Sequence, residues 1–112
     1  MSIFCGLESL SLLMLAIGAA GLMNAVGNLA PKRVARLCEE VAKGNLEAAR
    51  KLHFDLFELN QAIFLDTNPI PLKYMMSRVG LLGTSEVRLP LVPLDSERGQ
   101  ALDDVLRRAG LL

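Results

Sequence analysis

Between Glu8 and Lys32 the chain carries no charged side chain, yet Gly18, Gly21, Asn24, Gly27 and Asn28 are spread through the second half of that interval. Together these facts leave few folds. An apolar run of ~20 residues is long enough to cross a bilayer as one helix, and Leu10 to Leu29 reaches that length. Glycine and asparagine at these positions argue instead for short buried elements separated by turns. Ser2-Ile3-Phe4-Cys5, ended by Gly6, has the form of a buried strand. Glu8 and Ser9 open a helix that Gly18 and Gly21 close, and Leu22-Met23-Asn24-Ala25-Val26 reads as a second buried strand. Strand, helix and strand within ~25 residues make a right-handed crossover, which implies parallel pairing. Two parallel strands are not a stable sheet alone, so such a unit expects neighbours.

The remainder reads as helical. The expected helices are 9–18, 30–43, 45–65, 69–79 and 96–109, with 2–5 and 21–25 extended and parallel. Val34, Leu37, Cys38 and Val41 share one face of the second helix, and Gly44 stops it. Asn45 caps the long third helix, whose stripe is Leu46, Ala49, Leu52, Leu56, Leu59 and Ile63. Asn68-Pro69-Ile70-Pro71 marks a sharp corner, with Asn68 as cap and Pro69 at the first helical position. The helix after the corner turns Leu72, Met75, Met76 and Val79 inward, and Asp95 and Ser96 offer caps for the last helix. Between them Pro90 and Pro93 forbid a regular helix over Arg88 to Leu94, so an extended strap is expected.

Composition narrows the function more than it defines it. Twelve basic and twelve acidic residues balance, so no charge footprint favours nucleic acid or an anionic membrane. Cys5 and Cys38 form no CxxC pair and suit a reducing cytosol. Met1 to Glu8 lacks the basic start of a signal peptide. Gly18-Ala19-Ala20-Gly21 has neither phosphate-loop spacing nor a following lysine, and close packing explains its small residues. His53 is the only histidine and stands in no metal-binding pattern, so it reads as an ordinary helix residue. Glu39-Glu40 and Asp103-Asp104 read as solvated helix faces. Lys32, Lys43, Lys51 and Lys73 all lie on expected helices among polar neighbours, whereas an imine-forming lysine needs a desolvated pocket.

Four spaced motifs carry a resemblance: Asn68-Pro69-Ile70-Pro71-Leu72-Lys73-Tyr74, Gly80-Leu81-Leu82, Arg88-Leu89-Pro90-Leu91-Val92-Pro93 and Arg108-Ala109-Gly110-Leu111-Leu112. In this order, and extending back through Asn28 and Gly21 to Gly6, they resemble the C-terminal part of the dihydrodipicolinate synthase and N-acetylneuraminate lyase family, the pyruvate Schiff-base aldolases. The resemblance implies an α/β fold, mostly α by content: the C-terminal fragment of a TIM (β/α)8 barrel, with a C-terminal helical extension. Residues 1–44 would be the last two βα units and 45–112 the extension. It implies a cytoplasmic lyase that forms a pyruvate imine and adds or releases an aldehyde or keto acid. No metal or organic cofactor is expected, and the intact enzyme would be a homo-oligomer.

The resemblance also implies a pocket. Gly6 matches the glycine ending the seventh strand, and Met23 the eighth-strand residue whose main-chain carbonyl accepts from the catalytic lysine. Glu8 falls near the pocket rim, and Asn24 replaces a small hydroxyl residue. The family's imine-forming lysine, relay tyrosine and carboxylate-binding threonines lie on earlier strands, and Tyr74 belongs to the extension. The chain alone is therefore expected to be inactive. Gly6-Leu7-Glu8 stands where the synthases usually read Gly-Asp-Asp, which points away from aspartate semialdehyde and toward a 2,4-dihydroxyhept-2-ene-dioate type of aldolase. Outside the family, the alternative is a stand-alone helical interaction protein, either free or membrane-anchored through residues 10–29.

Overall fold

The computed structural model describes all 112 residues, which form two compact units, Met1–Phe57 and Glu58–Leu112. In the first unit, strand β1 (Phe4–Cys5) pairs in parallel with β2 (Gly21–Leu22), Phe4 opposite Gly21 and Cys5 opposite Leu22. The ladder continues past these ends, since Ala20 N–H donates to Ile3 O at 2.7 Å and Met23 N–H to Cys5 O at 2.8 Å. A Cβ on Gly21 would lie 3.0 Å from the Phe4 ring, so the glycine lets the ring cross the pair. The crossover holds a 3-10 turn (Glu8–Leu10) and helix α1 (Ser11–Ala16), closed by Gly18 at φ +102°.

The stretch from Leu10 to Leu29 is thus not one helix. It is divided into α1, β2 and a 3-10 turn at Val26–Asn28, and no helix of the chain is long and apolar enough to cross a membrane. The strands are shorter than expected. Asn24 turns back on itself, its Oδ1 accepting from Gly27 N–H at 2.9 Å, which ends the extended backbone before Val26.

Helix α2 (Pro31–Ala42) starts on its proline and stops at Gly44, φ +77°. It packs on α3 (Leu46–Asp55), capped as the sequence predicts by Asn45 Oδ1 from Ala48 N–H at 3.4 Å. Val34, Leu37, Ala49 and Leu56 are buried there, whereas Leu46 is exposed. Glu40 departs from its expected solvated face. It is buried, takes Asn45 Nδ2 at 2.9 Å, and lies 3.8 Å from Lys43 and 4.0 Å from Arg36. The long helix expected over 45–65 is interrupted at Leu56 and resumes as α4 (Phe57–Ala62). Neither glycine nor proline stands at the break, and nothing local in the sequence explains it.

In the second unit α5 (Ile70–Arg78) begins one residue later than expected, with Pro69 at its cap position and Pro71 buried in its first turn. Asn68 does not cap it; Thr67 O takes the Ile70 N–H at 2.9 Å instead. Gly80, at φ +78°, ends α5, and the segment before Asp95 runs without regular structure, tied to α5 where Lys73 Nζ donates to Glu86 O. Asp95 Oδ1 accepts from Arg98 N–H at 2.8 Å and opens α6 (Ser96–Arg108), which packs on α5 through buried Leu102 and Leu106.

Asp103 is the second carboxylate to leave its expected solvated face. It is 6% exposed and takes Arg78 Nε at 2.8 Å, Arg78 Nη2 at 2.9 Å and the Tyr74 hydroxyl at 3.3 Å. The Arg78 hydrogen bonds hold its carboxyl below the usual carboxylate range, against the opposing effect of burial. A depressed folded pKa stabilises above the unfolded value of ~4 and is lost as pH falls through the folded one. Urea titrations of the parent and Asp103→Asn should therefore differ most near neutrality and converge below about pH 4. In the first unit Leu56 is 2% exposed, and Leu56→Ala should cost ~2–5 kcal/mol in the same assay. A loss under about half a kcal/mol would place Leu56 outside the core.

Candidate functional site

Parallel pairing puts the C-terminal ends of β1 and β2 side by side, and this is the end at which α/β folds place ligands. All four residues singled out in the sequence fall here. Gly6 leaves β1 exposed, and a Cβ on it would meet nothing within 4 Å, so open space faces this backbone. Met23 follows β2 with its amide bonded to Cys5 O and its side chain 71% exposed. Asn24 is half-buried and spends its carbonyl oxygen on the Gly27 turn.

Glu8 does something the sequence did not show. It is 3% exposed, and its Oε1 accepts the Ala25 N–H at 2.7 Å, seventeen positions along the chain. A charge-assisted bond of this kind joins the loop after β1 to the loop after β2. Gly6 and Met23 thus stand on a rim whose two loops this bond joins. Cys5 Sγ, buried beneath, donates to Leu7 O at 3.2 Å. No local pattern announces the Glu8 contact; only the parallel register, once known, brings Ala25 within reach.

No lysine and no metal cluster joins these groups. None of the four lysines lies on β1 or β2, and no set of three His, Cys, Asp or Glu side chains is placed to hold a metal ion. His53 sits elsewhere, on α3, buried between the edges of Phe54 and Phe57 at ring-centroid distances of 5.5 and 6.2 Å. Burial lowers its pKa, and its Nδ1 has no partner, which suits a neutral packing histidine. Tyr74 lies in the second unit, bonded to Asp103.

The profile of the dihydrodipicolinate synthetase family matches residues 1–109. The chain belongs to that family. Among curated relatives, the 4-hydroxy-tetrahydrodipicolinate synthase of Thermus thermophilus is 51% identical over 110 residues, covering 98% of this chain and 36% of its own. The solved dihydrodipicolinate synthase of Thermotoga maritima matches with a TM-score of 0.95 and 38% identity, over 99% of this chain and 37% of that one. The chloride-inhibited synthase of Acinetobacter baumannii, complexed with pyruvate, gives 0.94 and 28% over 100% and 38%.

This member of the family therefore spans a little over a third of the length of the synthases it matches. Those neighbours are TIM-barrel enzymes, and a strand–helix–parallel strand unit is compatible with part of such a barrel. The relatives carry the synthase name, so Leu7, Glu8 and Asn24 do not draw the chain toward the dioate aldolase that the departures from Gly-Asp-Asp suggested.

The rim contact can be tested directly. Glu8→Ala leaves the Ala25 N–H without its acceptor, at a cost of ~1–3 kcal/mol, while Glu8→Gln keeps an oxygen in place and should cost under about 1. Amide exchange at Ala25 should accelerate in the alanine variant and stay slow in the glutamine one.

Proposed function

We propose that these 112 residues are the C-terminal portion of a dihydrodipicolinate synthase-type lyase, supplying the last two strands of its barrel and its helical extension. In this reading residues 1–44 are the two βα units and 45–112 the extension. The observation that carries it is the pairing of β1 with β2 in a chain that superposes over nearly its whole length on the longer synthases. The intact enzyme would be a cytoplasmic homo-oligomer taking pyruvate and aspartate semialdehyde, with no metal or organic cofactor. Gly6, Glu8, Met23 and Asn24 would form one wall of its pocket. Glu8 would act there by fixing the rim, since its Oε1 is engaged by the Ala25 N–H.

The chemistry sets a limit on what these residues do by themselves. Pyruvate imine formation needs a neutral amine, and a lysine amine is neutral near pH 7 only where burial or a neighbouring charge depresses its pKa. Lys32, Lys43 and Lys51 are exposed on the surface, and Lys73 Nζ is engaged by Glu86 O. Orientation of the two reactants, which can supply ~7–11 kcal/mol of a barrier, would have no enclosing wall. The 112 residues alone are therefore inactive in this reading. Two arms test it. The isolated chain, incubated with pyruvate and borohydride, should show no pyruvyl adduct on any of its four lysines. A fusion that joins to this chain the part of the Thermus thermophilus synthase lying outside the match should label once, on a lysine of the added part, and turn over pyruvate with aspartate semialdehyde. An adduct in the first arm, or a folded but unlabelled fusion in the second, would overturn the reading.

A further inference from the structure

Glu8 and Glu40, buried in the first unit, each accept a hydrogen bond from another part of the chain. His53, 8% exposed on α3, is different: its Nδ1 is closed off from solvent and meets no hydrogen-bond partner. Phe54 and Phe57 stand at its edges, and a phenyl ring carries no oxygen or nitrogen to accept an N–H. A neutral imidazole tolerates this surrounding, because one of its nitrogens bears no hydrogen. The imidazolium does not. Both nitrogens then carry N–H groups, and the one at Nδ1 becomes a buried donor without an acceptor. The position matters as well. His53 lies in the last turn of α3, which closes at the helix break with Leu56 N–H donating to Leu52 O at 3.1 Å.

We propose that His53 is a pH-sensitive latch: uptake of one proton by its imidazole releases the last turn of α3 from the core of the first unit. Two effects compete at this spot. The carbonyls at the end of a helix favour a cation, and burial opposes one. Burial wins, holding the imidazole pKa below its ordinary value. The charged neighbours are otherwise engaged or few. On α3 itself Arg50 lies one turn before His53 and Asp55 two residues after it. Helix α2 turns Arg36 and Glu40 toward α3, but Arg36 lines a groove with Lys51 and Asp55, and Glu40 is taken by Asn45 about two turns before His53. Helix α1, also packed on α3, has no ionisable side chain. Beyond the break, Glu58 is held by Arg108 at 2.8 Å. A folded pKa below the unfolded ~6.5 keeps the latch closed above that pH. Between the two values, each pH unit of acidification multiplies the open population by up to about tenfold.

Because His53 is the only histidine, its ring proton gives a single resonance in the full chain. That resonance should titrate with a midpoint below about 6.5. Amide exchange, corrected for the intrinsic rate, should lose protection at Leu56 in step with it, by up to about tenfold per pH unit. Lys43 N–H, bonded to Glu39 O at 3.0 Å at the end of α2, and Val79 N–H, bonded to Met75 O at 3.1 Å at the end of α5, should keep theirs. His53→Gln, neutral at every pH, should leave Leu56 equally protected from about pH 7 to about pH 5. A midpoint at or above about 6.5 overturns the proposal, and the parent chain alone gives that answer if the variant does not fold. Protection at Leu56 that holds through the titration overturns it too. So does a loss that is the same in His53→Gln, or one shared by Lys43 and Val79.

Discussion

The hydrogen bonds from Ala20 to Ile3 and from Met23 to Cys5 set the direction of everything in the first unit. Strands that pair in parallel cannot be joined by a hairpin, so the chain must cross over, and α1 is what it uses to do so. Parallel pairing also brings both strand ends to one side. Gly6 and Met23 become neighbours for that reason, and Ala25 comes within reach of Glu8. An antiparallel register would have sent Met23 to the opposite end and left the Glu8 carboxylate buried without the amide that receives it.

The parts of the structure written in local signals were readable from the sequence. Pro31 and Gly44 bracket α2, and Asn45 and Asp95 cap α3 and α6 through their own side chains, because each acts within three residues of itself. The division of Leu10 to Leu29 was legible for the same reason, since Gly18 adopts a backbone that other residues avoid. What escaped were contacts set by tertiary geometry. Asp103 meets Arg78 twenty-five positions away, and Glu8 meets Ala25 seventeen away, so neither carboxylate differs locally from a solvated one. Asn68 fails for a subtler reason: a capping residue beside a proline is a strong pattern, yet Thr67 already supplies the acceptor. The pocket residues were placed by resemblance to a family, and their positions at adjacent strand ends agree with that source without testing their roles.

The second unit is held differently from the first. Its helices bury Leu59, Ile63, Met75, Leu102 and Leu106, but α6 is also tied by arginines that reach across long sequence intervals. Arg78 meets Asp103 at 2.8 Å, Arg98 meets Asp66 at 2.6 Å and Arg108 meets Glu58 at 2.8 Å. Gly99 lets α6 approach closely, since a Cβ there would lie 2.9 Å from the Tyr74 hydroxyl that Asp103 holds.

Those arginine ties make ionic strength a selective variable. The Arg108 pair is well exposed and the Arg98 pair partly so, and the screening length shrinks from ~10 Å at 0.1 M salt to ~3 Å at 1 M. Added chloride therefore slackens the hold on α6, while the apolar contacts between α2 and α3 are untouched by screening. Sulfate, which favours apolar burial, acts on both units in the opposite sense. Salt thus reaches α6 through its exposed arginines and leaves the buried Leu102 and Leu106 beneath them in place.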